Sequence, residues 1–263
     1  MVNNLSIGRY INIRSTIHEL DARIKLISLI VLITLLTHAN TWQQYVALTS
    51  FTFLIIFLTR IPIMIFFKGI RHLLKIIIFT TILQLLFNGS GNSYFQWGFL
   101  NISEGGIIGA GIIFMRFVLI LMIASAIGLS TKPFDLTAGL RYFLTPLERV
   151  GLQIQDFAFM MSISLRFIPT LFEEAQRLKK AQESRGVQFD EGGFIKRMRK
   201  LIPLMIPAMI GSFYRAQELA DAVDARGYAG TIKRTTYKRM KFKINDLCFM
   251  LGLSILIVVC LIF

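Results

Sequence analysis

The sequence predicts an all-α integral membrane protein, with about five transmembrane helices and long amphipathic helices on the cytoplasmic side. Three observations carry that prediction. Of 263 residues, 54% are hydrophobic and 17% charged, with a mean hydropathy of +0.62, whereas globular chains run nearer 45–50% apolar and ~25% charged. Five apolar stretches approach the ~20 residues that a crossing helix needs. The 29 Lys and Arg residues collect between these stretches in alternating fashion.

The stretches are Ile24–Ala39, Tyr45–Thr59, His72–Phe87, Gly105–Leu129 and Leu247–Phe263, some of them reaching full length only with their flanks. Before the first stand Arg9, Arg14, Arg23 and, in its opening turn, Lys25. Asn40–Gln44 carries no Lys or Arg, and Arg60, Lys68, Arg71 and Lys75 separate or edge the second and third stretches. Asn88–Glu104 again has none, Thr131–Asn245 has 20, and none follows Asp246. Cytoplasmic loops retain Lys and Arg, so the pattern predicts a cytoplasmic N-terminus and five crossings. The domain organisation follows: residues 1–130 as a membrane region with four spans, 131–245 as a cytoplasmic region, and 246–263 as a final transmembrane helix. The net charge of +14 is then a product of topology, and no nucleic-acid-binding signature accompanies it.

Other classes fall away on residue usage. Cys248 and Cys260 are twelve positions apart in one apolar run, roughly 18 Å along a helix and too far to bridge. His18, His38 and His72 lack ligand spacing. The start of the chain, MVNNLSIGRYINIR, has no apolar core of a cleaved signal peptide. There is no G-x-x-x-x-G-K-[ST] phosphate loop, H-E-x-x-H or G-x-S-x-G, nor a carboxylate pair with catalytic character, so the chain is expected to have no catalytic, metal or cofactor site of its own.

The segment 131–245 is too long for a simple connection and shows helical periodicity. Over 157–181, Met161, Leu165, Ile168, Phe172 and Ala175 form an apolar stripe, with Ser162, Arg166, Thr170, Glu173, Arg177 and Lys180 opposite. A second stripe over about 201–226 comprises Met205, Met209, Phe213, Ala216, Ala220 and Val223. Pro203 and Pro207 predict a turn or kink at its start, and Gly192-Gly193 a break between the helices. Basic residues flank both ends of each helix, which favours the inner membrane surface over a full crossing. Two extra crossings would leave the parity of the spans unchanged.

The two helices end alike. Glu173–Gly186 (EEAQRLKKAQESRG) and Tyr214–Gly227 (YRAQELADAVDARG) are offset by 41 residues and identical at six of fourteen positions. Glycine terminates a helix in the left-handed conformation without penalty, and the preceding Arg complements the negative end of the helix dipole. One copy would be ordinary capping. Two copies closing two long helices point to Arg185 and Arg226 being presented to acidic grooves on a soluble partner, since the planar guanidinium binds carboxylates and carbonyls at fixed geometry.

At these residues the chain resembles the transmembrane T component of energy-coupling factor (ECF) vitamin and metal transporters, over nearly its whole length. Ser15–Lys25 (STIHELDARIK) is similar to that family's S-x-L-H-x-L-D-P-R-x-K segment, with Ala22 where Pro is usual. Ser130–Pro133 (STKP) with Leu140–Leu147 (LRYFLTPL) and Leu165–Pro169 (LRFIP) match further segments. The paired signatures fall at Ser184-Arg185-Gly186, where Ser replaces Ala, and at Ala225-Arg226-Gly227. The resemblance implies a non-catalytic subunit of a prokaryotic plasma-membrane importer. Two cytoplasmic ABC-type ATPases would use ATP and Mg²⁺ and dock on the six signature residues. Their motion would pass to a membrane-embedded, substrate-binding S component.

The apolar positions Leu165, Phe167, Ile168, Phe172, Met205, Met209 and Phe213 exceed what a solvated helix shows. They are candidates for the S-component interface, methionine permitting re-packing against different partners. The other reading is that they pack on each other and on the spans. Arg116, inside the fourth apolar stretch, is a functional hypothesis by position. The structural reading, satisfaction by carbonyls or by polar residues such as Gln84, Ser125 or Thr34, is favoured because no acid lies in any span. The competing function is a conventional ABC importer permease with its own substrate path. Such permeases usually carry one coupling motif, and the spans here offer few polar residues. An integral-membrane enzyme would need the catalytic constellation that the sequence lacks.

Overall fold

The computed structural model describes residues 10, 11, 13–87, 93–97, 100–189, 191–228 and 242–262. In chain order the elements are α1 (Thr16–Glu19), α2 (Ala22–His38), α3 (Trp42–Thr59), α4 (Ile63–Phe87), β1 (Ser93–Trp97), β2 (Leu100–Ser103), α5 (Glu104–Ser130), α6 (Pro133–Leu144), a 3₁₀ turn (Thr145–Val150), α7 (Ile154–Ser184), α8 (Phe194–Ala225) and α9 (Ile244–Ile262). They divide into two compact units, one within Met1–Tyr142 and Met240–Phe263, the other within Phe143–Arg239.

Among the described residues α3, α5 and α9 are each long and apolar enough to cross a membrane. A fourth crossing forms if Ile63–Arg71 and Leu73–Phe87, bent by 64°, act as one span. The expected third stretch, His72–Phe87, is thus only the second arm of a helix that starts at Ile63, directly after Pro62. Lys68 and Arg71 in the first arm, with Lys75 just beyond the bend, made it read as a connection. α2 has 17 residues, about 25 Å of rise and a little under the ~30 Å hydrocarbon core. The connection between α4 and α5 holds a small antiparallel hairpin, with Phe95 paired to Ile102 and Trp97 to Leu100, an element not expected from the sequence.

α5 is apolar all round, the pattern of a helix surrounded by others. Its Leu119, Ile123 and Ala126 are buried in one cluster with Leu32 and Leu36 of α2, Leu48 and Ile55 of α3, Phe66 and Ile70 of α4, and Leu256 of α9. Phe57, Met64, Phe79 and Leu261 point outward and are exposed, as lipid-facing side chains are. Several hydroxyls within the apolar helices bond to their own helix: Thr52 donates to the Leu48 carbonyl at 2.7 Å, Thr81 to Ile77 at 2.7 Å and Ser254 to Leu251 at 2.8 Å. In a medium without water, such a polar group must find its partner within the protein.

Specific polar contacts gather at the helix ends. Asp246, 1% exposed, accepts the Asp21 amide at 2.9 Å and the Lys243 amide at 2.7 Å. Asp21 is itself the N-cap of α2, accepting from the Arg23 amide. The N-termini of α2 and α9 therefore lie side by side. Lys25, 2% exposed, donates to the Ser130 carbonyl at 3.0 Å and brings the C-terminus of α5 to the same place. At the far end of α9, the Gln44 side-chain amide donates to the Cys260 carbonyl at 2.9 Å, so this helix is held at both ends. Arg116 donates to the Ala39 carbonyl at 3.1 Å and to the Tyr45 hydroxyl at 2.9 Å. Its partners are thus a helix-end carbonyl and a phenol, and not Gln84, Ser125 or Thr34. Gly139 of α6 lies over α2, where a Cβ would stand 3.1 Å from Leu26 Cδ1.

His18, ahead of α2, sits between Ser15 Oγ at 2.6 Å from Nδ1 and the Ile11 carbonyl at 3.0 Å from Nε2. With Nε2–H donating to Ile11 and Nδ1 accepting from Ser15, the neutral ring satisfies both contacts. Burial pushes the imidazole below its ordinary 6.5, and the Lys25 ammonium adds to the effect against the opposing Ile11 bond.

Two outcomes follow. Asp246→Ala leaves two part-buried amides without their acceptor and costs about 1–3 kcal/mol. Asp246→Asn retains one acceptor oxygen and costs less. Thermal melts followed by thiol labelling of buried Cys260 read the difference. For His18 the folded pKa lies below the unfolded one, so the unfolded chain takes up the proton first. Its contribution is fully present above pH 6.5 and is lost as pH falls below that value. His18→Gln, which keeps a donor and cannot titrate, flattens the wild-type fall in melting temperature between about pH 7.5 and 5.5.

Candidate functional site

The second unit holds the paired Arg-Gly signatures on α7 and α8, of 31 and 32 residues and about 46–48 Å long at 1.5 Å per residue. Both helices exceed the expected 157–181 and 201–226. α8 starts at Phe194 and runs through Pro203 and Pro207, where a turn or kink was expected. The two prolines are four apart and share one face, which confines the missing amide donors to that side. The glycine break is present: Gly193 is the extended N-cap of α8, and Gly192 has φ +102.

Both helices end in the same hydrogen-bonded motif. Past α7, Gly186 N–H donates to the Glu183 carbonyl at 3.0 Å and Val187 N–H to Gln182 at 3.0 Å. Past α8, Gly227 N–H donates to Asp224 at 2.8 Å and Tyr228 N–H to Val223 at 3.3 Å. These are the 5→2 and 6→1 bonds of a Schellman ending. Gly186 and Gly227 adopt the left-handed conformation that it requires, at φ +87 and +73. Arg185 and Arg226 occupy the C-cap positions. Both are exposed, and neither side chain makes an ion pair or hydrogen bond among the described residues.

α7 and α8 cross antiparallel. Glu174 accepts a salt-bridging hydrogen bond from Arg215, and Gly211 allows the close approach, since a Cβ there would stand 3.0 Å from Glu174 Oε1. Toward one end Tyr228 stacks on Phe159 at 4.9 Å and donates to Asp156 at 3.2 Å. Toward the other, Lys200 donates to the carbonyls of Gln188 and Glu191. Glu174 and Arg215 are 41 positions apart, the offset of the repeat. Equivalent positions of the two copies therefore meet at the crossing, which is what a local two-fold produces. Arg185 and Arg226 each lie eleven residues beyond it, about 16 Å along their helices in opposite directions.

Beside the crossing, an open groove of about 460 Å³ is lined by Leu171 and Glu174 of α7 and by Met205, Ala208, Met209, Ser212, Phe213 and Ala216 of α8. Of the candidate interface residues, Met205, Met209 and Phe213 come together here, 55%, 55% and 72% exposed. Ile168 and Phe172 are exposed on α7, Leu165 and Phe167 half-buried, and these four do not line the groove. Sequence reasoning missed Leu171, Gly211 and the Glu174–Arg215 pair. The signal for the pair was present, because aligned repeats place an acid opposite a base at one position.

Reversing either charge, Glu174→Arg or Arg215→Glu, opposes like charges and costs the crossing about 1 kcal/mol or more, as expected for a partly exposed pair. The double exchange restores attraction, because the positions are equivalent about the local two-fold. Cysteine cross-linking between Ala208 and Leu171 positions reads the outcome: reduced yield in each single variant and recovery in the exchange.

The chain matches the CbiQ family, described as cobalt transport protein, over residues 14–237. It is 40% identical over 257 residues to the energy-coupling factor transporter transmembrane protein EcfT 1 of Listeria monocytogenes serotype 1/2a (strain 08-5578), covering 97% of both chains. It is 38% identical over 256 residues to the energy-coupling factor transporter transmembrane protein EcfT of Bacillus subtilis (strain 168), again covering 97% of both. With the protein of the same name from Lacticaseibacillus paracasei (strain ATCC 334 / BCRC 17002 / CCUG 31169 / CIP 107868 / KCTC 3260 / NRRL B-441) it shares 40% identity over 245 residues, covering 93% of both. Extent and identity together show that the chain belongs to this family of membrane transport proteins, as a transmembrane component of the ECF type.

Proposed function

We propose that the α7–α8 pair transmits motion from two cytoplasmic ATPases to a membrane-embedded, substrate-binding S component, for uptake of a vitamin or metal. The observation that carries this reading is the disposition of the Arg-Gly ends. Two identical Schellman endings point away from one crossing, with Arg185 and Arg226 exposed on each. A two-fold pair of ATPases would receive one end apiece. Each guanidinium enters an acidic groove as a bidentate donor. The small residues Ser184 and Ala225, with Gly186 and Gly227, let the groove walls approach the helix backbone. This chain binds no cofactor and performs no catalysis; ATP and Mg²⁺ belong to the partners.

Opening and closing of the ATPases would move the two ends relative to each other, and the crossing at Glu174–Arg215 would make the pair respond as one lever. The groove at Met205, Met209 and Phe213, with Leu165, Phe167, Ile168 and Phe172 along α7, is the apolar surface offered to the S component. Flexible, polarisable methionine suits a surface that meets more than one shape. The chain would lie in a prokaryotic plasma membrane with its N-terminus in the cytoplasm. The shared Asp246 contact supports that topology, since α2 and α9 start side by side, as an odd number of crossings requires. The divisions 1–130, 131–245 and 246–263 would then be membrane region, coupling region and last span.

Arg185→Ala and Arg226→Ala are each expected to reduce recovery of the ATPases with the detergent-solubilised, tagged chain, and the double variant to abolish transport. The pull-down with wild-type and double variant side by side tests this. Wild-type transport by the double variant removes the coupling reading. Recovery of an extracytoplasmic binding protein without a small membrane partner favours a conventional permease.

A further inference from the structure

The first two turns of α8 carry a feature that docking of the Arg-Gly ends does not require. Phe194–Ile202 reads FIKRMRKLI. At 100° per residue, the apolar Phe194, Ile195, Met198, Leu201 and Ile202 fall within an arc of about 120°, and Lys196, Arg197, Arg199 and Lys200 fill the rest. Phe194 and Ile195 are 80% and 76% exposed, Met198 and Ile202 53% and 50%. Residues 192–213 hold four cations and no acid. The cations also break the repeat: 41 positions earlier stand Gln155, Asp156, Ala158 and Phe159. Whatever they serve is confined to one helix, unlike the Arg-Gly ends that both helices share.

We propose that the segment 194–202 is a membrane-surface anchor, its apolar arc inserted among acyl chains and its cations on anionic phospholipid headgroups. Charge and shape select this occupant. An acidic protein surface would match the cations and leave the exposed Phe194, Ile195, Met198 and Ile202 in water. A purely apolar partner would have to strip water from the neighbouring cations. A bilayer surface with anionic lipid accommodates both arcs at once, because headgroup and acyl chain lie at adjacent depths. Lys200 is partly engaged with the carbonyls of Gln188 and Glu191; Lys196, Arg197 and Arg199 are exposed and supply the free charge. The anchor would hold the start of α8 at the headgroup level, while the end of the same helix moves with a soluble partner.

The test places a nitroxide at Met198→Cys in the full-length chain carrying Cys248→Ser and Cys260→Ala, reconstituted in vesicles. Immersion depth is read from the contrast between oxygen and nickel-chelate accessibility. In phosphatidylcholine vesicles containing phosphatidylglycerol the probe is expected to be immersed, and in pure phosphatidylcholine or high salt to return toward water. Replacing Lys196, Arg197 and Arg199 by Gln is expected to lower the immersion equilibrium constant by about fivefold per charge removed. A probe equally water-accessible in both lipids overturns the proposal. Immersion independent of anionic lipid and salt overturns its electrostatic half. Protection that arises only when ATPases or small membrane proteins are added assigns the segment to a protein partner and overturns it too. The lipid and salt comparison uses one folded protein, so the result stands even if the triple variant folds poorly.

Discussion

Lipid tails are as apolar as leucine, so burial of apolar surface alone gives a span little reason to choose one neighbour over another. The choice here falls to a few polar groups that must be satisfied where water is scarce. Asp246 and Gln44 fix the two ends of α9 against residues more than 200 positions away. Lys25 joins α2 to the end of α5, and Arg116 joins α5 to the end of α2 and the start of α3. These contacts resemble rivets at the rims of a barrel, with leucine and isoleucine filling the space between them. The interior is sealed by hydroxyls folded back on their own helices, which keeps polar atoms from competing with the rim contacts.

The second unit follows a different rule. α7 and α8 carry their charges mainly toward their ends, with apolar stretches such as 201–214 between, and depend on each other along a single crossing. A partly buried ion pair, a glycine that removes a side chain from the contact, and an aromatic stack toward one end define it. Such a pair is stiff along its helices and narrow at its contact, the properties expected of a lever.

The features legible in the sequence were those with a local cause. Apolar length marks α3, α5 and α9, and the Arg-Gly endings were readable because a Schellman motif needs only its own six residues. The same local logic misplaced the start of α4, whose first arm mixes two cations, Lys68 and Arg71, with apolar residues, and the start of α8, where prolines on one face left the helix continuous. What escaped was non-local. Tyr45 and the Ala39 carbonyl as partners of Arg116, Leu171 as a wall of the groove, and Glu174 against Arg215 all depend on which helix lies beside which. Periodicity within a helix carries no information on that. The hairpin Ser93–Ser103 was missed for a simpler reason, its strands being only five and four residues long.

The ion pair at the crossing bears on how such a molecule can arise. A residue on a two-fold axis meets its own equivalent, so two unaltered copies of one helix would oppose glutamate to glutamate or arginine to arginine. Attraction on the axis is open only to copies free to differ. Fusion of both helices in one polypeptide grants that freedom, and Glu174 facing Arg215 uses it. A symmetric assembly of separate identical chains could not reach the same contact. Once the axis is occupied by unlike residues, the two outer ends are chemically distinguishable as well, Ser184 at one and Ala225 at the other. The molecule thereby has a left and a right hand for whatever grips it.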